Sequence, residues 1–87
     1  MTITSQGYQI GTAVVNVVGE DENPQHVYLH NSEGTNSIWV GGENVTTTNG
    51  YEIEKKLTFE ITIAPGDKLY AVASGAGRDL RVLIQRT

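Results

Sequence analysis

The chain has no cysteine among its 87 residues. Disulfide staples and a thiolate zinc site are therefore excluded. Small extracellular scaffolds usually depend on such staples, so assembly in a reducing cytoplasm is the expectation. No apolar segment follows Met1 as a secretion signal would require, and no apolar run approaches the roughly 20 residues of a membrane-spanning helix. Neither secretion nor membrane insertion is expected. A sustained helical period is missing from every window, which argues against a helical domain. Lys and Arg are absent from the first 54 positions. A duplex-binding surface needs clustered bases to displace counterions from phosphates, so no nucleic-acid partner is expected.

What is present is asymmetric. Residues 1–54 hold seven acids: Glu20, Asp21, Glu22, Glu33, Glu43, Glu52 and Glu54. Residues 55–87 hold all six bases, Lys55, Lys56, Lys68, Arg78, Arg81 and Arg86, against Glu60, Asp67 and Asp79. The halves carry −7 and +3, which gives the net −4. Two readings follow: the halves neutralise each other within one fold, or they meet between copies. A chain this short forms one domain and buries only about 60–65% of its unfolded surface. Association is a plausible source of further stability.

Residues 1–7 are polar and lack strand density, so they read as a flexible arm preceding a single domain over 8–87. Tyr8 to Val18 is rich in β-branched residues, with Val14, Val15, Val17 and Val18 reading as a strand buried on both faces, or with one face on the core and one on an interface. Gly19 to Pro24 is an acidic loop ended by Asn-Pro. From His26 to Asn31, Val27 and Leu29 face one way and His26, Tyr28 and His30 the other. Ile38 and Val40 oppose Trp39 in the next strand. A polar connection, Gly42 to Gly50, closes on Asn49-Gly50, a pair suited to a tight turn. Leu57, Phe59, Ile61 and Ile63 line one face of the clearest strand and predict its register. Ala64-Pro65-Gly66-Asp67 ends that strand, with Gly66 at the position that takes positive φ. Leu69 to Ser74 is a strand, Gly75 to Arg78 a hairpin turn, and Leu80, Val82 and Ile84 the inward side of the last strand. Short strands with turns every 8–12 residues predict an all-β protein, a small antiparallel β-sandwich of jelly-roll type with six to eight strands.

Chemistry is hard to place on this frame. His26 and His30 share a face but stand about 13 Å apart, too far for one metal ion. Glu20-Asp21-Glu22-Asn23 lacks the spaced ligand pattern of a calcium loop. Ser74-Gly75-Ala76-Gly77 opens a strand, whereas a phosphate cradle opens a helix. There is no nucleophile elbow, and the acids sit on different loops. Asn44-Val45-Thr46 fits a glycosylation sequon but has no secretory context. No catalytic residue, metal or cofactor is expected. Trp39, the sole tryptophan, is left with three roles: core residue, interface anchor or sugar-stacking platform.

Three segments carry a resemblance: Ile38-Trp39-Val40-Gly41-Gly42-Glu43-Asn44-Val45-Thr46, Asn49-Gly50, and Ala64-Pro65-Gly66-Asp67-Lys68-Leu69-Tyr70-Ala71. Together they resemble a small all-β domain of tailed-bacteriophage structural proteins. There a strand ending near V-x-G-G-x-x-V-T leads through N-G to L-x-P-G-D-x-L-Y-A. The resemblance spans roughly two thirds of the chain. It implies a non-enzymatic virion protein, first of all a capsid decoration (cement) protein. Such a protein binds the major capsid protein on the outside of a head shell and stabilises it, commonly as a homotrimer. A carbohydrate- or ligand-binding sandwich using Trp39 is the alternative from another class. A fibre or connector subunit is a third option. The expected interface comprises Trp39, Tyr28, Arg78, Arg81, Leu83 and Glu43. In it, Arg78 and Arg81 of one copy face Glu43, Glu52 or Glu54 of the next in a head-to-tail ring.

Overall fold

A computed structural model describes residues 2–86, all strand and connection. Eight strands follow in order: β1 (Thr2–Ile10), β2 (Val15–Val18), β3 (Gln25–Asn31), β4 (Ile38–Gly41), β5 (Tyr51–Ile53), β6 (Thr58–Ile63), β7 (Leu69–Ala73) and β8 (Arg78–Arg86). They form two four-stranded sheets, β1-β8-β3-β6 and β2-β7-β4-β5. Every pairing is antiparallel.

The pairings nest. β1 pairs with β8, β2 with β7, β3 with β6 and β4 with β5. The chain is thus one long hairpin that has been rolled up, and rolling adds the β3–β8 and β4–β7 seams. This is the jelly-roll order, in which successive strands switch sheets. Only β4 and β5 follow one another within a sheet.

The period of two explains the core. Val27, Leu29, Ile38, Val40, Leu80, Val82 and Ile84 are buried between the sheets with Ile10, Val17, Val18, Ile53, Ile63, Leu69 and Ala71. Two buried polar residues stitch the ends. Asn31 donates from Nδ2 to the carbonyls of Asn36 (2.8 Å) and Ile53 (2.9 Å), and its Oδ1 accepts from the Glu33 amide (2.9 Å). At the opposite end Gln25 donates to the Gly19 carbonyl (2.9 Å) and accepts from Arg86 Nε (3.1 Å). Arg86 also pairs with Asp21 (3.1 Å) and donates to Thr4 Oγ1 (3.2 Å). Gly66 takes φ 84° and Asp67 N–H donates to the Ala64 carbonyl (3.1 Å), the turn its sequence requires.

Several expectations are corrected. Residues 2–7 are the first part of β1, with Thr2 opposite Arg86 and Gly7 opposite Arg81; Met1 lies outside the described residues. Ile3 is the one large apolar residue of this segment, because an edge strand beside a solvent-facing sheet surface needs few. Ile63 is buried, but Phe59 and Ile61 are half-buried and Leu57 is 52% exposed. β6 is an edge strand, so its inward residues meet the open side of the sandwich. Val14 is exposed and precedes β2, where only Val17 and Val18 are fully buried. Ser74 to Gly77 forms no hairpin: β7 and β8 lie in different sheets, and the segment crosses between them.

Candidate functional site

The broadest open surface is the outer face of the β1-β8-β3-β6 sheet. Pairing register sets it out as rows. Ser5, Leu83, Tyr28 and Glu60 stand side by side across the four strands, and Gly7, Arg81, His30 and Thr58 form the next row. These are the residues that alternate with the buried ones, which is why they point outward. A shallow groove of about 370 Å³ lies between β1 and β3, lined by Gly7, Tyr28, His30, Arg81 and Leu83 among others. Leu83 is 41% exposed at its centre.

The polar groups on this face are mostly engaged with one another. His26 bonds Glu60 through Nε2 and Thr62 Oγ1 through Nδ1 (3.0 Å), and its ring stands edge-on to Tyr28 with centroids 4.9 Å apart. His30 Nδ1 bonds Thr58 Oγ1 (3.0 Å). Arg81 Nε donates to both carboxylate oxygens of Asp79 (3.1 Å each). That hydrogen bond, together with the nearby negative charge, raises the guanidinium pKa above its ordinary value. Arg81 is a fixed cation on this face. The histidine bonds run across strands and the Arg81–Asp79 pair along one, and together they order this surface. No group of three or more His, Asp or Glu among the described residues could hold a metal ion.

The residues expected at an interface divide three ways. Tyr28, Arg81 and Leu83 come together on this face. Trp39 lies on the outer face of the other sheet, opposite Val72 and Glu52 in register. It is half-buried. Glu43 sits in the β4–β5 connection, exposed. Arg78 is apart from Arg81, because three residues along a strand reverse the side-chain direction. It pairs in register with buried Ile10, and its buried Nε has no hydrogen-bond partner among the described residues. The two arginines therefore cannot form one cationic patch, and Arg81 is already bound to Asp79.

The outer face of the second sheet is largely covered by its own connection. Val45, in the Gly42–Gly50 loop, is buried, and so is outward-facing Val72. The loop is held by its own hydrogen bonds: Thr46 N–H to Asn49 Oδ1 (2.7 Å), Gly50 N–H to the Thr46 carbonyl (2.9 Å) and Asn49 Nδ2 to the Asn44 carbonyl (3.3 Å). A Cβ on Gly50 would lie 2.7 Å from Val45 Cγ2 and 2.9 Å from Trp39 Cβ. The glycine is needed for close approach, a role beyond the turn its Asn-Gly context suggested. Val45 was the residue that sequence reasoning passed over; a lone valine in a polar loop was the available signal.

No protein-family model matches the chain, and no curated protein does. A solved structure does match in fold. It comes from work titled "Bacillus endospore appendages form a novel family of disulfide-linked pili". The match has a TM-score of 0.69 at 13% identity and covers 99% of this chain and 85% of that one. The chain shares the fold of a small all-β pilus protein along its whole length.

Proposed function

We propose that the chain is a non-enzymatic structural subunit of a virion, first of all a capsid decoration protein that binds the outside of a phage head shell. The observation that carries this reading is the outer face of the β1-β8-β3-β6 sheet. It is broad and internally ordered, with Leu83 exposed and Tyr28 half-buried among polar groups, and no cluster there among the described residues is placed to hold a metal ion. Such a face works by burying area against a partner. The resemblance in the 38–50 and 64–71 segments supports the phage assignment.

A filament or fibre subunit is the second reading, favoured by the full-length fold match to a pilus protein. That neighbour is described as disulfide-linked. A cysteine-free chain would have to join its copies by non-covalent contact alone. Electron microscopy separates the two. Labelled chain on intact heads at regular sites supports decoration; isolated chain that polymerises into fibres supports the second reading. A chain that does neither, and stays monomeric with every particle tested, defeats both.

A further inference from the structure

The four sheet edges differ in how they resist pairing. β2 has four residues and a register shift between Asn16 and Val18. β5 has three residues. β6 has six and carries Glu60 on its outward face. Shortness, bulges and charges are the devices that keep edges from adding foreign strands. β1 has none of them. It is nine residues long, TITSQGYQI, without charge or proline. Its register with β8 runs unbroken from Thr2 opposite Arg86 to Ile10 opposite Arg78. Among the described residues no strand pairs with its other side.

We propose that the free edge of β1 is an interface, and that its occupant is β1 of a second copy, paired antiparallel about a two-fold axis at Ser5. The outward positions of β1 argue for self-pairing. They read Ile3, Ser5, Gly7 and Gln9, and Ile3 is 65% exposed. Ile3 and Gly7 are symmetric about Ser5. With Ser5 on the axis, each Ile3 stands directly opposite Gly7 of the other copy, where no side chain competes for space. Directly opposed residues have Cβ positions about 5 Å apart, so Ile3 reaches the rim of the groove beside Gly7. The aliphatic stem of Arg81 lies there too: a Cβ on Gly7 would be 3.6 Å from Arg81 Cδ. On the other side of the strand Thr4 meets Gln6, a polar pair. No like charges oppose across the seam. Thr2 to Tyr8 of each copy would pair, joining two four-stranded sheets into one of eight. This contact rests on the structural-subunit reading and specifies one surface that it uses.

The test exploits the lack of native cysteine. Ser5→Cys puts one thiol on the axis, facing its own symmetry mate. Gln9→Cys puts an equally exposed thiol about 27 Å from its mate in this register. Each variant is treated at millimolar protein with a short bis-maleimide, whose two ends each add one cysteine thiol to form a thioether. Ser5→Cys is expected to yield covalent dimer about tenfold or more above Gln9→Cys. Ile3→Lys, which sets a cation beside Arg81 of the other copy, is expected to raise the dimer dissociation constant about tenfold and leave the thermal midpoint unchanged. Equal yields from the two cysteine variants overturn the proposal. So does a wild-type chain that assembles while Ser5→Cys stays unlinked; the structural-subunit reading survives that result. A Ser5-linked dimer that never joins a particle or fibre upholds the β1 contact and defeats the structural-subunit reading.

Discussion

The two sheets of the sandwich share one core but present opposite outer surfaces. In β1-β8-β3-β6 the strands run nine, nine, seven and six residues; in β2-β7-β4-β5 they run four, five, four and three. The long sheet leaves its outer face open, with cross-strand bonds ordering His26, His30 and Glu60 and Asp79 of its own strand holding Arg81, around Leu83 and Tyr28. The short sheet is covered by the loop that joins β4 to β5, with Val45 as its plug. The long sheet therefore offers the open surface that the proposed association would use, while the short sheet carries a cover of its own. Chain order makes this possible. A rolled hairpin pairs β1, β2 and β3 with β8, β7 and β6, so most of the base-free first half lies against the half that holds every base. Asp21 with Arg86 is one such pairing within the fold.

Truncation gives the largest expected effect. Deletion through Gly7 removes most of β1 and strips one side of β8. If residues 1–7 were an arm, the melting temperature of the isolated domain would not move. As a strand, their loss exposes the β8 edge and uncovers Val82 and Ile84, which stand opposite Gln6 and Thr4, and a domain this small should not fold cooperatively. A thermal melt followed by circular dichroism decides between these outcomes.

Core truncation comes next and compares the interior with the open side. Leu80 is fully buried, and Leu80→Ala should cost about 2–5 kcal/mol. Phe59→Ala should cost less, although phenylalanine is larger, because Phe59 is only half-buried. Its ring packs at 4.5 Å between centroids on Tyr51, which is itself mostly exposed. Urea melts that rank Phe59→Ala above Leu80→Ala would mean that the side between β5 and β6 is closed after all.

A smaller effect tests the cover on the short sheet. Gly50→Ala forces a methyl group against Val45 and Trp39, and overpacking of this kind costs about 1–3 kcal/mol. Trp39 fluorescence should shift as the loop lifts. Because the two sheets have separate outer surfaces, chemical shifts of His26 and His30 should stay in place. Movement at both would show that the sheets are coupled more tightly than their packing suggests.

Much of the sandwich could be read from alternation. Val27 with Leu29, Ile38 with Val40, and Leu80 with Val82 and Ile84 all face inward as the period of two requires. The misplaced residues share a cause: pattern reports which way a side chain points but not what lies over it. Leu57 to Ile63 alternates cleanly, yet β6 is an edge, so its burial is partial. Val45 and Val72 carry no pattern that marks them as covered, because the cover is a loop folded back from elsewhere in the chain. Residues 1–7 read as an arm because all but Met1 and Ile3 are polar or glycine, and an edge strand tolerates such residues. On the outer face Tyr28 and Leu83 could be named singly, but their adjacency depends on β3 lying beside β8, a pairing that no local signal encodes. Arg78 and Arg81 were grouped by closeness in sequence and separated by strand geometry.

The smallest effect on stability carries the most information about function. Leu83 sits on the open face among polar neighbours, and Leu83→Lys removes no buried contact. Substitutions at such positions usually change stability by less than about 0.5 kcal/mol, so the melt should superimpose on that of wild type. Val72 faces outward too, but beneath the loop. Val72→Lys must bury an ammonium group or expel the cover, and it should destabilise strongly. The same change in residue type on the two sheets therefore separates an association surface from a sealed one. If the long sheet is the contact face, Leu83→Lys should reduce binding to particles or copies while the fold stays intact. A Leu83→Lys chain that binds as wild type does, measured by co-sedimentation, would move the contact off this face and onto the strand edges or loops.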